Sequence, residues 1–400
     1  MSKYHVLLDE CYYILFKFAF IVYKAMKKYL LHFLLLIITI LFSSCANKSA
    51  MLTKSGLNPA NFETEMQGKK THLYTLTNKT GMEVCITNLG GRIVSLMAPN
   101  QDRSKLYDVV QGFDKVEDYL KRNNCHGAIV GRFANRIKDG RLPINGDTLY
   151  LPPNENGNTS HGGISPWHNR VFTPIFIAKN KLVLSLFSPE GEGGFPGAVT
   201  LKVIYTLTEE NELDISYIAT TTKPTVINVT NHSFFNLTGK LGESCGEDSL
   251  QIFADRYLGV DDENVADGSL ISLDDSPLDF RYLHSLNDCY ESQDSFIVAK
   301  KGIDLCYDLN KKAEFALAAI FSDANTGIKM RISTDQPGLW IFTSNSDKVQ
   351  DYGKGNIPYH QHSGVAFETQ HFPDAPNHPE WDSTLLNPGD TLRTHTTYAF

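Results

Sequence analysis

The chain has 400 residues, of which 42% are hydrophobic and 20% charged, with a formal net charge of -8 at pH 7. That is the balance of an ordinary globular protein. Mild acidity and the absence of Lys/Arg blocks from the body exclude nucleic acid as a partner, because phosphates require a clustered basic surface. A neutral, polar small molecule suits such a surface better.

The N-terminus differs from the rest. Lys24, Lys27 and Lys28 precede an apolar run from Tyr29 to Phe42, then Ser43-Ser44-Cys45 and a polar Asn47-Lys48-Ser49 stretch. This order is that of a signal peptide with small residues before a cysteine. It resembles a bacterial lipoprotein signal, which implies lipidation of Cys45 as the first mature residue and export to the cell envelope, periplasmic side or outer surface; Phe42 departs from the small or aliphatic residue usual there. A transmembrane anchor is the competing reading, but lysines split Cys11 to Phe42 into two runs, each too short to span comfortably. Met26-Lys27-Lys28 looks like a natural start, which makes residues 1–25 an extension. Residues 46–61, rich in Ser, Lys, Asn, Gly and Pro, are expected to form a flexible tether.

Five cysteines lie in the body: Cys85, Cys125, Cys245, Cys289 and Cys306. An odd, scattered set without C-x-x-C provides no metal site and no disulfide framework, and reads as buried small apolar residues.

From Phe62 to Phe400 the chain reads as short strands separated by Gly/Asn/Asp/Pro turns, without a linker or repeat. The expected class is all-β, one unit over 62–400. Strands are expected at His72 to Thr77 and Met82 to Asn88 around Asn78-Lys79-Thr80-Gly81, and at Leu182 to Phe187, Val199 to Leu207 and Leu213 to Ala219. One short helix is expected at Lys115 to Arg122, with Asp114 as N-cap and Glu117 completing a capping box. Ala313 to Phe321 fits helix or strand; the Asn325-Thr326-Gly327 turn and the alternation of Ile328 to Ser333 favour a hairpin.

Several stretches concentrate polar groups. Gly131-Arg132-Phe133-Ala134-Asn135-Arg136-Ile137 sets two arginines and an asparagine among small residues, suited to clamping a carboxylate or vicinal hydroxyls, or to plain surface ion pairing. His161-Gly162-Gly163 is a loop whose backbone can approach a ligand, or a plain turn. Thr225 to Gly239 reads as one strand with Ile227, Val229, Phe235 and Leu237 on an apolar face and Asn228, Thr230, His232 and Asn236 on the other. Gly302-Ile303-Asp304 places an aspartate at a loop end. In Ser363 to Gln370, read as a strand, Val365 and Phe367 face one way and Gly364, Ala366, Glu368 and Gln370 the other. Two tiny residues beside a carboxylate leave room for a ligand, and an inward glutamate is costly unless it is paired or functional.

Taken together, Gly131 to Ile137, His161-Gly162-Gly163, Phe195-Pro196-Gly197, Thr230-Asn231-His232-Ser233-Phe234-Phe235-Asn236-Leu237, Gly302-x-Asp304, Asp335-Gln336-Pro337-Gly338 and Glu368-Thr369-Gln370-x-Phe372-Pro373-Asp374-Ala375 resemble the aldose 1-epimerase, or galactose mutarotase, family, in its order and over essentially all of 62–400. The resemblance implies a large antiparallel β-sandwich with an open sugar groove. It implies Glu368 as general base and His232 as general acid, charged as Glu368 carboxylate and His232 imidazolium in the resting enzyme. It places sugar contacts on Asn135, Arg136, His161 and Asp304, with no metal or cofactor, and a monomer or weak dimer acting on a free monosaccharide such as glucose or galactose. Trp340 stands where many members carry a glutamine, and is either a stacking face for the sugar or core. Leu305 stands where a histidine commonly follows the aspartate.

Three other readings compete. A glycoside hydrolase would pair Asp304 with Glu368 and leave His232 idle. A non-catalytic carbohydrate-binding protein would not need both His232 and Glu368. A sugar-phosphate epimerase would need extra cations beside the groove. His72, His360, His362, His371 and His378 lack matching carboxylates and read as incidental rather than as a metal site.

Overall fold

The computed structural model describes residues 13, 15–30, 52–121, 124–310, 314–349 and 352–400. The chain divides into two units, Met1–Met51 and Leu52–Phe400. In the first, residues 15–30 are helical, and no described helix is long and apolar enough to cross a membrane. Cys45 and residues 31–42 of the expected signal lie outside the described residues.

The second unit is built from antiparallel strands. A nine-stranded sheet runs, in spatial order, Thr173–Ala178, Lys181–Ser188, Val199–Leu207, Glu212–Thr221, Leu392–Ala399, Lys329–Thr334, Ala316–Ser322, Ser249–Ile252 and His284–Ser285. A six-stranded sheet runs Phe234–Phe235, Val365–Gln370, Gly338–Phe342, Asp304–Leu309, Ala254–Val260 and Ala266–Ser272. A four-stranded sheet carries Leu73–Thr77, Glu83–Thr87, Arg92–Pro99 and Leu106–Asp108. The all-β sandwich and the expected hairpin across 325–327 are both present, the latter pairing Ala316–Ser322 with Lys329–Thr334.

The nine- and six-stranded sheets share one core. Phe235 and Phe367 of the smaller sheet meet Tyr398 and Phe321 of the larger, with ring centroids 4.9 Å apart for Phe235–Tyr398 and 5.3 Å for Phe321–Phe367. Each such ring contributes roughly 1.5–3 kcal/mol by leaving water. Polar ties cross the same interface: Thr369 Oγ1 lies 2.6 Å from Thr396 Oγ1, and the Tyr398 hydroxyl donates to the Phe367 carbonyl at 3.3 Å. They anchor the strand that carries Glu368.

Three local expectations are corrected, and the reading of the body cysteines holds. Residues 52–61 are not a tether, because Leu57 and Phe62 are buried, Pro59–Phe62 forms a 3₁₀ turn capped by Asn58, and the Lys54 amide donates to Glu83. Two apolar anchors and a cap outweigh the tether-like composition around them. The helix expected at 115–122 is a single 3₁₀ turn, Val116–Tyr119; Asp114 accepts from the Gly355 amide instead of capping it, and Arg122 lies outside the described residues. Thr225 to Gly239 is three short strands with three partners, Thr225–Val226 on Leu385–Leu386, Thr230–His232 on Ala128–Val130 and Phe234–Phe235 on Val365–Gln370. Both of its faces are buried, so the polar face does not point to water. The body cysteines are free thiols, all buried except the half-buried Cys125.

Candidate active site

Register in the six-stranded sheet sets out the site. Asp304, Phe342, Ala366 and Phe234 align in one row, and Cys306, Trp340 and Glu368 in the next. Residues in register share a face, so these side chains project together while the alternate residues Leu305, Ile341, Val365 and Phe367 enter the core. Leu305 therefore lies away from the site, and its departure from the family pattern does not touch it.

His232 reaches this face from another sheet. Thr230–His232 pairs with Ala128–Val130, and the chain then crosses at Phe234 to pair with the Glu368 strand. The crossing brings His232 Nε2 to 3.3 Å from Glu368 Oε1, with both side chains buried. Glu368 Oε2 has no protein partner and remains free to accept from a hydroxyl.

Burial opposes charge on both members. It pushes the His232 imidazole down to about 4, with a smaller push from Arg92, and the Glu368 carboxyl up to about 8, aided by Asp304 and opposed by Arg136. Burial therefore works against the ionised resting pair expected from the sequence and favours the form with the proton on Glu368 and a neutral His232 imidazole.

His161 stands edge-on to His232, ring centroids 5.7 Å apart. Its Nδ1 accepts from the Asn135 amide at 3.3 Å, which leaves the hydrogen on Nε2. Burial, followed by the field of His232, holds it well below the usual imidazole range and hence neutral. Gly162 owes its identity to the protein rather than to a ligand, because a Cβ there would meet the Gly131 carbonyl oxygen at 2.1 Å. Asn135, with φ 62°, accepts through Oδ1 from the Arg136 backbone amide and guanidinium at 3.1 and 3.2 Å. Arg136 also spans Glu155, at 3.1 Å through Nη2 and 3.0 Å through Nε. The other arginine of that stretch, Arg132, is structural: its buried guanidinium donates to the carbonyls of Pro196 and Gly197, each at 2.8 Å.

Asp304 is held by two donors, Asn264 Nδ2 at 2.6 Å and Trp340 Nε1 at 2.9 Å. Trp340 is packed with Leu258, Ala266, Cys306 and Phe372 and only 2% exposed. Its ring is packed as the core reading expected, and its indole N–H orients Asp304. Sequence reasoning missed Asn264 and Glu155, loop residues 40 and 19 positions from the side chains they hold.

Among the described residues, one group of histidine and carboxylate donors is spaced as a metal site would be: His161, His232 and Glu368, each offering an atom within 4.8 Å of the others. The same spacing suits two proton-transfer groups and a hydroxyl donor around one sugar oxygen. The incidental histidines are engaged elsewhere, His362 stacked on Tyr290 at 3.8 Å and His378 on Trp381 at 4.1 Å.

An antiparallel β-sandwich with a buried histidine–glutamate pair beside the polar side chains of Asn135, Arg136, His161 and Asp304 is an arrangement suited to acid/base chemistry. The model of the aldose 1-epimerase family matches residues 72–399, and the chain belongs to that family. It is 35% identical over 317 residues to the galactose mutarotase of Mus musculus, covering 79% of this chain and 90% of that one. It is 32% identical over 336 residues to the aldose 1-epimerase of Escherichia coli K12, covering 83% and 96%. Among solved structures, an aldose epimerase homologue from C. elegans superposes with TM-score 0.76 at 27% identity, over 82% of this chain and 98% of that one. The galactose 1-epimerase of Lactobacillus acidophilus follows with TM-score 0.73 at 27% identity, over 84% and 96%.

Proposed function

We propose that this chain is an isomerase that interconverts the α and β anomers of free aldoses such as glucose and galactose. The observation that carries the reading is the 3.3 Å contact between His232 and Glu368 on a face ringed by Asn135, Arg136, His161 and Asp304. Opening a cyclic hemiacetal requires one proton to leave the anomeric hydroxyl and one to arrive at the ring oxygen. Glu368 takes the first and His232 supplies the second; rotation about C1–C2 and reversal of both transfers closes the other anomer. The pair begins and ends with one proton, so the step balances within the site. Passage of that proton from Glu368 to His232 across their contact prepares the acting form, and each positioned transfer contributes roughly 10²- to 10⁴-fold. Asp304, His161, Asn135 and Arg136 fix the ring by its remaining hydroxyls.

Polarimetry of freshly dissolved α-glucose and α-galactose tests this. Wild-type protein is expected to speed equilibration well beyond buffer, and Glu368→Gln to abolish the gain. Equal rates for wild type and buffer sink the reading, and reducing sugar released from a glycoside would favour a hydrolase. Export as a lipoprotein anchored through Cys45 is proposed alongside, on the Lys24 to Cys45 pattern alone. Metabolic labelling with a radioactive fatty acid, lost in Cys45→Ala, checks it.

A further inference from the structure

One turn of the six-stranded sheet bonds to both walls of the site. Strands Ala254–Val260 and Ala266–Ser272 pair as far as Val260 and Ala266, and the chain reverses between them through Asp261–Val265, closed by the Asp261 amide on the Val265 carbonyl at 2.9 Å. Asp261 braces the turn from within: its Oδ1 accepts from the Glu263 and Val265 amides, each at 3.0 Å. Asn264 takes φ 60° in the same turn. An aspartate bonded to the backbone two residues on stiffens such a turn.

The side chains of Asn264 and Glu263 leave this turn for different elements. Asn264 Nδ2 reaches Asp304 Oδ2 on the sheet at 2.6 Å. Glu263 Oε2 accepts from Asn158 Nδ2 at 2.9 Å, in a loop 105 positions back. Asn158 is buried, and its amide orientation is set because Oδ1 takes the Asp139 amide at 2.9 Å, which leaves Nδ2 to face Glu263. The loop around Asn158 supports the second wall. The Asn158 amide donates to the Glu155 carbonyl at 2.7 Å, Glu155 grips Arg136, and Thr159–Ser160 pairs with Arg136–Ile137 immediately before His161. A further contact of the turn, Lys138 Nζ to Asp261 Oδ2 at 3.5 Å, joins two half-exposed groups and contributes little. The bond from Glu263 to Asn158 is charge-assisted with one partner buried, and is the stronger link between the turn and that wall.

We propose that Glu263 is a positioning residue for the sugar. Through Asn158 it fixes the loop that carries Glu155 and leads to His161, and so holds Arg136 and His161 at the distance from Asp304 that one pyranose ring needs. Glu263 acts through these side chains and exchanges no proton. The inference rests on the anomer-exchange reading and adds to it what sets substrate binding. His232 and Glu368 stand on other strands, so the tie governs KM rather than kcat.

The test measures kcat and KM for glucose anomer exchange by NMR saturation transfer, and the Kd of glucose by titration calorimetry, in wild type, Glu263→Ala and Glu263→Gln. Glu263 is exposed, so its replacement spares the fold, which thermal unfolding verifies. Glu263→Ala is expected to raise KM and Kd about tenfold, the size of one charge-assisted hydrogen bond, with kcat within about twofold of wild type. Glu263→Gln keeps an oxygen for Asn158 Nδ2 and should recover most of the loss. KM and Kd unmoved by Glu263→Ala overturn the proposal while leaving the exchange reading intact. A parallel fall of kcat and melting temperature, the mark of a general loosening, overturns it too. Glu263→Gln as damaging as Glu263→Ala overturns the role given to the bond with Asn158. Glucose binding that depends on Glu263 without exchange in wild type upholds the positioning and defeats the reading at C1; no glucose binding at all defeats both.

Discussion

The two large sheets share a core but use their outer faces differently. In Val199–Leu207 and Glu212–Thr221 of the nine-stranded sheet, buried and partly exposed residues alternate almost without a break. In Val365–Gln370 of the six-stranded sheet every residue is buried on both faces. Water covers the outer face of the first, whereas loops bearing Asn135, His161 and Asn264 cover that of the second. A polar side chain on the nine-stranded sheet's outer face is hydrated at little cost; Glu368 and Asp304 on the six-stranded sheet's site face lose that hydration and must be paired or put to use. Burial that would be wasteful in a scaffold is what moves the Glu368 carboxyl into the range where it holds a proton at neutral pH.

Substitutions can break this contrast. The largest effect is expected at the pair: Glu368→Gln or His232→Asn lowers kcat for anomer exchange about 10²- to 10⁴-fold with the thermal transition little changed. A variant retaining near wild-type exchange removes that residue from the proposed relay. On the other sheet Leu201→Ala should do the reverse, costing about 2–5 kcal/mol in denaturant unfolding while leaving kcat intact, since Leu201 is buried in the shared core and far from the pair in the sheet order. Trp340→Phe keeps the packing but removes the indole donor from Asp304, and should raise KM for glucose about tenfold; an unchanged KM would show that Asn264 alone suffices. The smallest effect belongs to Lys202→Ala on the water-facing side, expected within about 0.5 kcal/mol in stability and without effect on rate.

The same contrast explains what was legible in the chain. Alternation marked Val199–Leu207 and Leu213 to Ala219 because one face of each meets water, and the Asn325-Thr326-Gly327 turn marked its hairpin. Thr225 to Gly239 misled because a polar–apolar alternation there reflects two kinds of burial, core on one side and site on the other, while the chain changes partners twice. His232 and Glu368 were recognisable as chemistry-bearing types beside small residues. Their protonation was not, since it depends on burial first and then on the charges of Arg92, Arg136 and Asp304, which lie far apart in the sequence. Asn264 and Glu155 were hidden for a related reason: a polar residue in a turn looks alike whether it faces water or holds a buried partner. The packing of residues 52–61 was missed because two apolar residues, Leu57 and Phe62, decide it against the composition of their neighbours.

The central claim is that one proton shared by His232 and Glu368 runs the reaction, and the pH dependence of kcat/KM for glucose anomer exchange tests it most directly. Below about pH 4 His232 takes up a second proton and the site loses its base; above about pH 8 Glu368 releases the last one and the site loses its acid. The account predicts a plateau between those limits that falls on both sides, with the alkaline limb lost in Glu368→Gln along with the activity. A single limb centred near the ordinary imidazole value of about 6.5 would contradict it.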